Sequence, residues 1–176
     1  MKIGLCGTMS VGKTTLVNAL KKLPEFKGYT FRTERSKELM AQGIPLNTDS
    51  TLKGQTVFLS ERTSELMVEN IITDRTIIDV MAFARASKSM DWNDKEAFEE
   101  YAKRFLKEYD YIFYVSPVGV EMEDNGIRET NIDYRDLIDY TIGRILDSNK
   151  HRIKNLNTIS GSTEKRIEQM LEALSS

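Results

Sequence analysis

Residues 7–14 read Gly7-Thr8-Met9-Ser10-Val11-Gly12-Lys13-Thr14: a glycine, four residues, then Gly-Lys-Thr. That spacing suits a loop that cradles phosphate. Gly7 and Gly12 admit backbone angles that a side chain forbids. Successive N–H groups, through Ser10, Val11 and Gly12 to Thr15, can then face phosphate oxygens. Lys13 can reach the outer phosphates of a nucleoside triphosphate, and the Thr14 hydroxyl is placed to ligate Mg2+. A strand-like run at residues 2–6 leads into the loop, and a helical pattern over 13–22 leads out. The start of that helix adds the positive end of its dipole. The implied cofactors are ATP and Mg2+.

Charged residues at the ends of later strand-like runs extend the set. Glu34-Arg35 follows the second run and Asp74-Arg75 the third. Glu34 can accept the proton of a substrate hydroxyl as it attacks the γ-phosphate, or complement the dipole of the helix that starts beside it. Asp74 suits a metal ligand or a helix N-cap, roles that are compatible. Arg75 can reach a phosphate or Glu34. ATP-driven motors place a glutamate after the metal-site aspartate to activate water; the arginine at this position argues against such a machine. Arg128 and Arg135 stand seven residues apart, two helical turns. They can neutralise charge during phosphoryl transfer, or form a solvated face with Asp133, Asp136 and Asp139. Gly161-Ser162 offers a seat for adenine or a plain capping turn. Gln55 can read the edge of a base or lie on the surface. With Glu34 and Arg35 it makes the candidate substrate-binding set. Asn149-Lys150-His151-Arg152 begins like a guanine-recognition motif without its aspartate, which disfavours a GTPase switch.

Something must hold these residues together. The chain has 176 residues, 40% hydrophobic and 30% charged, with a net charge of −2. That is enough for one domain with a sizeable core, and too acidic for a broad nucleic-acid footprint. No apolar run nears the ~20 residues that span a bilayer. The single cysteine, Cys6, excludes an internal disulfide and reads as packing. The first strand starts at once, which predicts no leader and a cytoplasmic location. Strands are expected near 2–7, 29–33, 70–74, 110–116 and 156–160. Helices are expected over 13–22, 35–42, 51–68, 76–88, 94–108, 131–148 and 163–174, with Asp94, Thr130 or Asn131, and Ser162 as N-caps. Phe58, Leu59, Met67, Phe98, Tyr101 and Phe105 read as core and not as a dimer surface. Alternating strands and helices predict a parallel sheet covered on both faces, with ligands beyond the carboxyl ends of its strands.

Taken in order, these motifs resemble P-loop kinases of the nucleoside and nucleotide type, closest to the nicotinamide-riboside-kinase-like ATPase/kinase group of bacteria and phages. The resemblance rests on Gly7 to Thr14, Glu34-Arg35, Asp74-Arg75-Thr76 with Asp79, Asp124-Asn125-Gly126-Ile127-Arg128, Arg135, and Gly161-Ser162-x-Glu164-Lys165-Arg166. It implies an α/β P-loop NTPase fold of the NMP-kinase-like kind: a three-layer α/β/α sandwich with a five-stranded parallel core sheet. Residues 1–176 would form one kinase domain, with a lid at roughly 117–135. It implies Glu34 as base, Asp74 near Mg2+, and Arg75 and Arg128 near phosphates. The activity implied is transfer of the γ-phosphate of ATP to a nucleoside, nucleotide or nucleobase hydroxyl. A hydroxymethylated base in phage-type DNA is an alternative acceptor, and an ATP-binding switch without efficient transfer is the alternative class. Deoxynucleoside kinases carry acidic-Arg-Ser after the third strand and Glu-Pro after the second; this chain has Asp74-Arg75-Thr76 and Glu34-Arg35. The acceptor pocket is expected near residues 34–62, and the oligomeric state is open.

Overall fold

The structure is a computed structural model and describes residues 1–33, 35–118 and 132–176, apart from the Lys37 side chain. Five strands alternate with helices. They are β1 (Lys2–Cys6), β2 (Thr30–Arg32), β3 (Ile71–Thr73), β4 (Tyr111–Val115) and β5 (Leu156–Ile159). All pair in parallel, in the order β2-β3-β1-β4-β5. The helices are α1 (Lys13–Leu20), α2 (Ser36–Ala41), α3 (Leu52–Glu65), α4 (Ile77–Ala86), α5 (Trp92–Ala102), α6 (Ile132–Asn149) and α7 (Thr163–Ser175).

Side chains of a strand alternate between its two faces, and here both faces are covered. Ile3, Leu5, Phe113 and Val115 pack with Leu16, Val17 and Leu20 of α1 and Met170 of α7. Cys6 and Ile112 pack on the other side with residues of α3, α4, α5 and α6. Successive strands therefore read as nearly unbroken apolar runs, as a doubly covered parallel sheet requires. Neighbouring strands β1 and β3 send their following helices, α1 and α4, to opposite faces. That divergence opens a crevice beyond their carboxyl ends, where ligands of such sheets bind.

Three expectations change. The N-cap of α5 is Asp91, whose carboxylate accepts the Asp94 N–H at 2.8 Å, so Asp94 lies inside the first turn. Met67 is 85% exposed because α3 ends before it, and Tyr101 is 56% exposed on the outer side of α5, edge-on to Phe105. Leu59 and Phe98 are buried, with Phe58 and Phe105 packed against the same core. Ser162 caps α7 as expected, while Thr130 and Asn131 lie outside the described residues. Among the described residues no helix is long and apolar enough to cross a membrane.

Candidate active site

The phosphate loop joins β1 to α1, and its two glycines do different work. Gly7 has φ +153°, and a Cβ there would lie 2.8 Å from the Val115 carbonyl oxygen. Gly12 caps α1 in the left-handed region at φ +81°. Ser10, without glycine's freedom, is also left-handed at φ +56°. Strain of this kind persists where the surroundings enforce it, commonly at ligand sites.

Buried polar contacts fix the start of the loop. Asp79 of α4 is fully buried and accepts the Gly7 N–H at 3.1 Å. Its second oxygen accepts the Thr76 N–H at 2.8 Å, closing a capping box with Thr76. The Gly7 amide is therefore committed to Asp79. Gly7 serves the loop as a turn and an anchor, which leaves the expected role of phosphate donor to the later amides. Thr8 donates through Oγ1 to the Arg135 carbonyl at 2.8 Å, tying the loop to α6. Lys13 is buried, and its Nζ donates to the carbonyls of Gly7 and Thr8, each at 2.7 Å. The ammonium is thus held inside the loop. Thr15 is exposed at the start of α1.

The two expected metal ligands meet. Thr14 Oγ1 donates directly to Asp74 Oδ2. Asp74 is only 2% exposed, and its N–H is fixed to the Arg32 carbonyl at 2.9 Å. One carboxylate and one hydroxyl beside a phosphate loop are the hard oxygen donors that Mg2+ takes when phosphates supply the rest.

Beside the loop lies a cleft with about 580 Å³ of empty space, part of it open to solvent. Met9, Arg75 and Asp79 line it on the loop side. Gln55 and Phe58 come from α3, and Val80 and Phe83 from α4. Ser36, Leu46 and Asn47 complete the wall. A turn over residues 47–49 is pinned to the end of α4: Lys88 N–H donates to Thr48 O at 2.8 Å and Ser87 Oγ to Ser50 O at 2.5 Å. Gln55 is only 2% exposed, and its Oε1 has no hydrogen-bond partner among the described residues. Arg75 lies over the Phe83 ring at 5.0 Å, with Nη1 3.8 Å from Asp79.

Placement of the other candidates is mixed. Arg35 is exposed and bridges Glu38 and Glu61; among the described residues the cleft wall takes its neighbour Ser36 instead. Arg135 meets the loop through its carbonyl. Gly161, at φ +91°, and Ser162 form an exposed turn at the head of α7. Glu34 and Arg128 lie outside the described residues, as does most of the segment expected to be the lid.

Burial shifts several groups near the site. It pushes the Cys6 thiol and the Asp139 carboxyl upward; Asp139 also accepts the Tyr114 hydroxyl at 2.7 Å, which opposes the rise. On α3, burial raises Glu65 to about 7, against the pull of Arg62, which donates to it at 2.8 Å.

Sequence reasoning missed the anchoring role of Asp79, although Thr-x-x-Asp at 76–79 is a capping-box signal. It also missed Phe58 and Phe83 as cleft walls; at helical spacing aromatic residues look like core.

Comparison with known proteins agrees with this fold. The deoxyadenosine kinase of M. mycoides, solved with dCMP and a flexible dCDP, aligns over 99% of this chain and 98% of its own, with TM-score 0.70 and 20% identity. NadR in complex with NR aligns over 98% of this chain and 50% of its own, with TM-score 0.69 and 18% identity. YorR of Bacillus subtilis, in complex with phosphorylated GDP, aligns over 98% and 95%, with TM-score 0.57 and 17% identity. No curated protein matches the sequence significantly. The family model described as an AAA domain matches residues 2–166, from the first residue of β1 to Arg166 in α7. With its phosphate loop and crevice on a P-loop kinase fold, the chain belongs to the AAA domain family.

Proposed function

We propose that the chain is an ATP- and Mg2+-dependent kinase that transfers the γ-phosphate to a hydroxyl of a nucleoside or nucleotide. One observation carries this reading: the cleft reaches the phosphate loop, because the loop residue Met9 lines it together with Arg75 and with Asp79, which holds the Gly7 N–H. A nucleotide on the loop and a small acceptor in the cleft would meet there. The cleft also suits a nucleobase. Phe58 and Phe83 offer aromatic surface, and the buried Gln55 amide offers one donor side and one acceptor side to a base edge. Related folds hold deoxynucleotides and NR.

Thr14 and Asp74 would hold Mg2+, which neutralises charge on the β- and γ-phosphates when bound. Lys13 and the loop amides hold those phosphates in place. Arg75 balances charge on the transferring group from the cleft side. Glu34, next after β2 and Thr33, takes the acceptor's hydroxyl proton. The bond from the γ-phosphorus to the β-bridging oxygen breaks, a bond to the acceptor oxygen forms, and ADP leaves. Residues 1–176 form one kinase domain in this reading. Arg128, from the segment expected to be the lid, and Arg135, whose carbonyl is already tied to Thr8, add positive charge near the phosphates. Positioning and electrostatics supply the catalysis.

The test is ADP release against ribo- and deoxynucleosides, nicotinamide riboside, their monophosphates, and DNA with and without hydroxymethylated bases. Stimulation by a nucleoside or nucleotide supports the proposal, and stimulation by modified DNA alone moves the acceptor to the alternative. Glu34→Gln should lower turnover about 10²- to 10⁴-fold with ATP binding kept. Unchanged turnover removes Glu34 from the mechanism. ATP binding with no stimulated release favours a switch.

A further inference from the structure

The phosphate loop is also gripped from the far end of the chain. Arg166 of α7 is 3% exposed. Its Nη1 donates to the Val11 carbonyl at 2.6 Å and its Nη2 to the Ser116 carbonyl at 3.3 Å. A Cβ on Gly12 would lie 3.2 Å from the same Nη1. The guanidinium therefore rests against the peptide that joins Val11 to Gly12.

A planar trans peptide directs its carbonyl and its N–H to opposite sides. Pinning the Val11 carbonyl toward α7 turns the Gly12 N–H away from α7. We propose that Arg166 is a positioning residue for the nucleotide: it aims the Gly12 N–H at phosphate and locks that aim to the end of β4. The proposal rests on the nucleotide-binding reading above.

Docking α7 does not require this cation. The helix is held by Met170, with Ile167, Leu171 and Leu174 packed on the same apolar cluster, and by its Ser162 cap. Burying a guanidinium is costly unless it is well paired, and the Arg166 Nε is buried with no hydrogen-bond partner among the described residues. An apolar side chain of similar length would pack at least as well. The arginine's distinctive contribution is therefore two directed donors, one aimed at the loop and one at the end of β4.

The experiment measures equilibrium binding of ATP, with Mg2+, to the full chain and to Arg166→Met, Arg166→Lys and Lys13→Ala. Arg166→Met keeps the packing and removes both donors. It should raise the Kd for ATP about 10- to 100-fold. Arg166→Lys keeps the charge but not the fork, and should raise it about 3- to 10-fold. In steady-state assays the KM for ATP should rise, while the acceptor KM and kcat at saturating ATP stay unchanged. A purely structural role would lower the folded, active fraction, and so apparent kcat, without moving the Kd of folded molecules. Native affinity in a folded Arg166→Met, with binding lost in Lys13→Ala, overturns the proposal and leaves the nucleotide reading standing. If the Met variant does not fold, native affinity in Arg166→Lys overturns it equally. No ATP binding by the native protein overturns both.

Discussion

Between Gly7 and Thr14 the backbone is fixed at Gly7, Thr8 and Val11 by buried polar contacts. Asp79 holds the Gly7 amide, Lys13 the Gly7 and Thr8 carbonyls, and Arg166 the Val11 carbonyl. The cleft next to it is built from side chains carried by separate segments, α2, the turn at 47–49, α3 and α4. Met9 and Asp79 belong to both sides, whereas Gln55, Phe58 and Phe83 belong to the cleft. If that division is right, variants on the two sides should fail differently.

The largest effect is expected on the loop. Gly7→Ala drives a Cβ to 2.8 Å from the Val115 carbonyl at a backbone angle unsuited to alanine. It should cost about 2–4 kcal/mol of stability and abolish measurable ATP binding. Denaturant melts with nucleotide titration check this; native behaviour would mean the loop is not held as described.

Next is the helix that carries the cleft's amide and Phe58. Glu65 is raised from 4.5 to about 7, chiefly by burial. Between those values the folded state holds a proton that the unfolded chain has lost. Stability should therefore fall as pH rises through that window, by up to about 3 kcal/mol, and stay lower above it. Glu65→Gln should flatten this slope in melts from pH 4.5 to 8. A slope that survives in the variant assigns it to another group.

The smallest effect sharpens the comparison most. Gln55→Leu keeps a buried side chain of similar size and removes the amide. It should raise the acceptor KM about 5- to 50-fold and leave the KM for ATP alone. Equal changes in both would show that loop and cleft are not separable.

The loop was fully legible in sequence because its information is local: eight consecutive residues between a strand and a helix. The strands were legible to within a residue or two, since β1 and β4 are continuous apolar runs. The ends that carry chemistry followed, and Thr14 and Asp74 do meet. What stayed hidden depends on distant contacts. Nothing near Arg166 signals Val11, 155 residues away. Gln55 read more readily as a surface residue, yet the fold buries it, and Phe58 and Phe83 show the pattern of core residues until a cleft opens beside them. The Asp91 cap was misplaced by three residues because Asp91 and Asp94 are equally good caps in isolation.

The most direct test follows the label from γ-32P-ATP in the presence of a nucleoside acceptor. The account predicts that the label appears on the acceptor, at a rate that saturates with acceptor concentration. Label released only as inorganic phosphate, or no turnover by a protein that binds ATP, would contradict it.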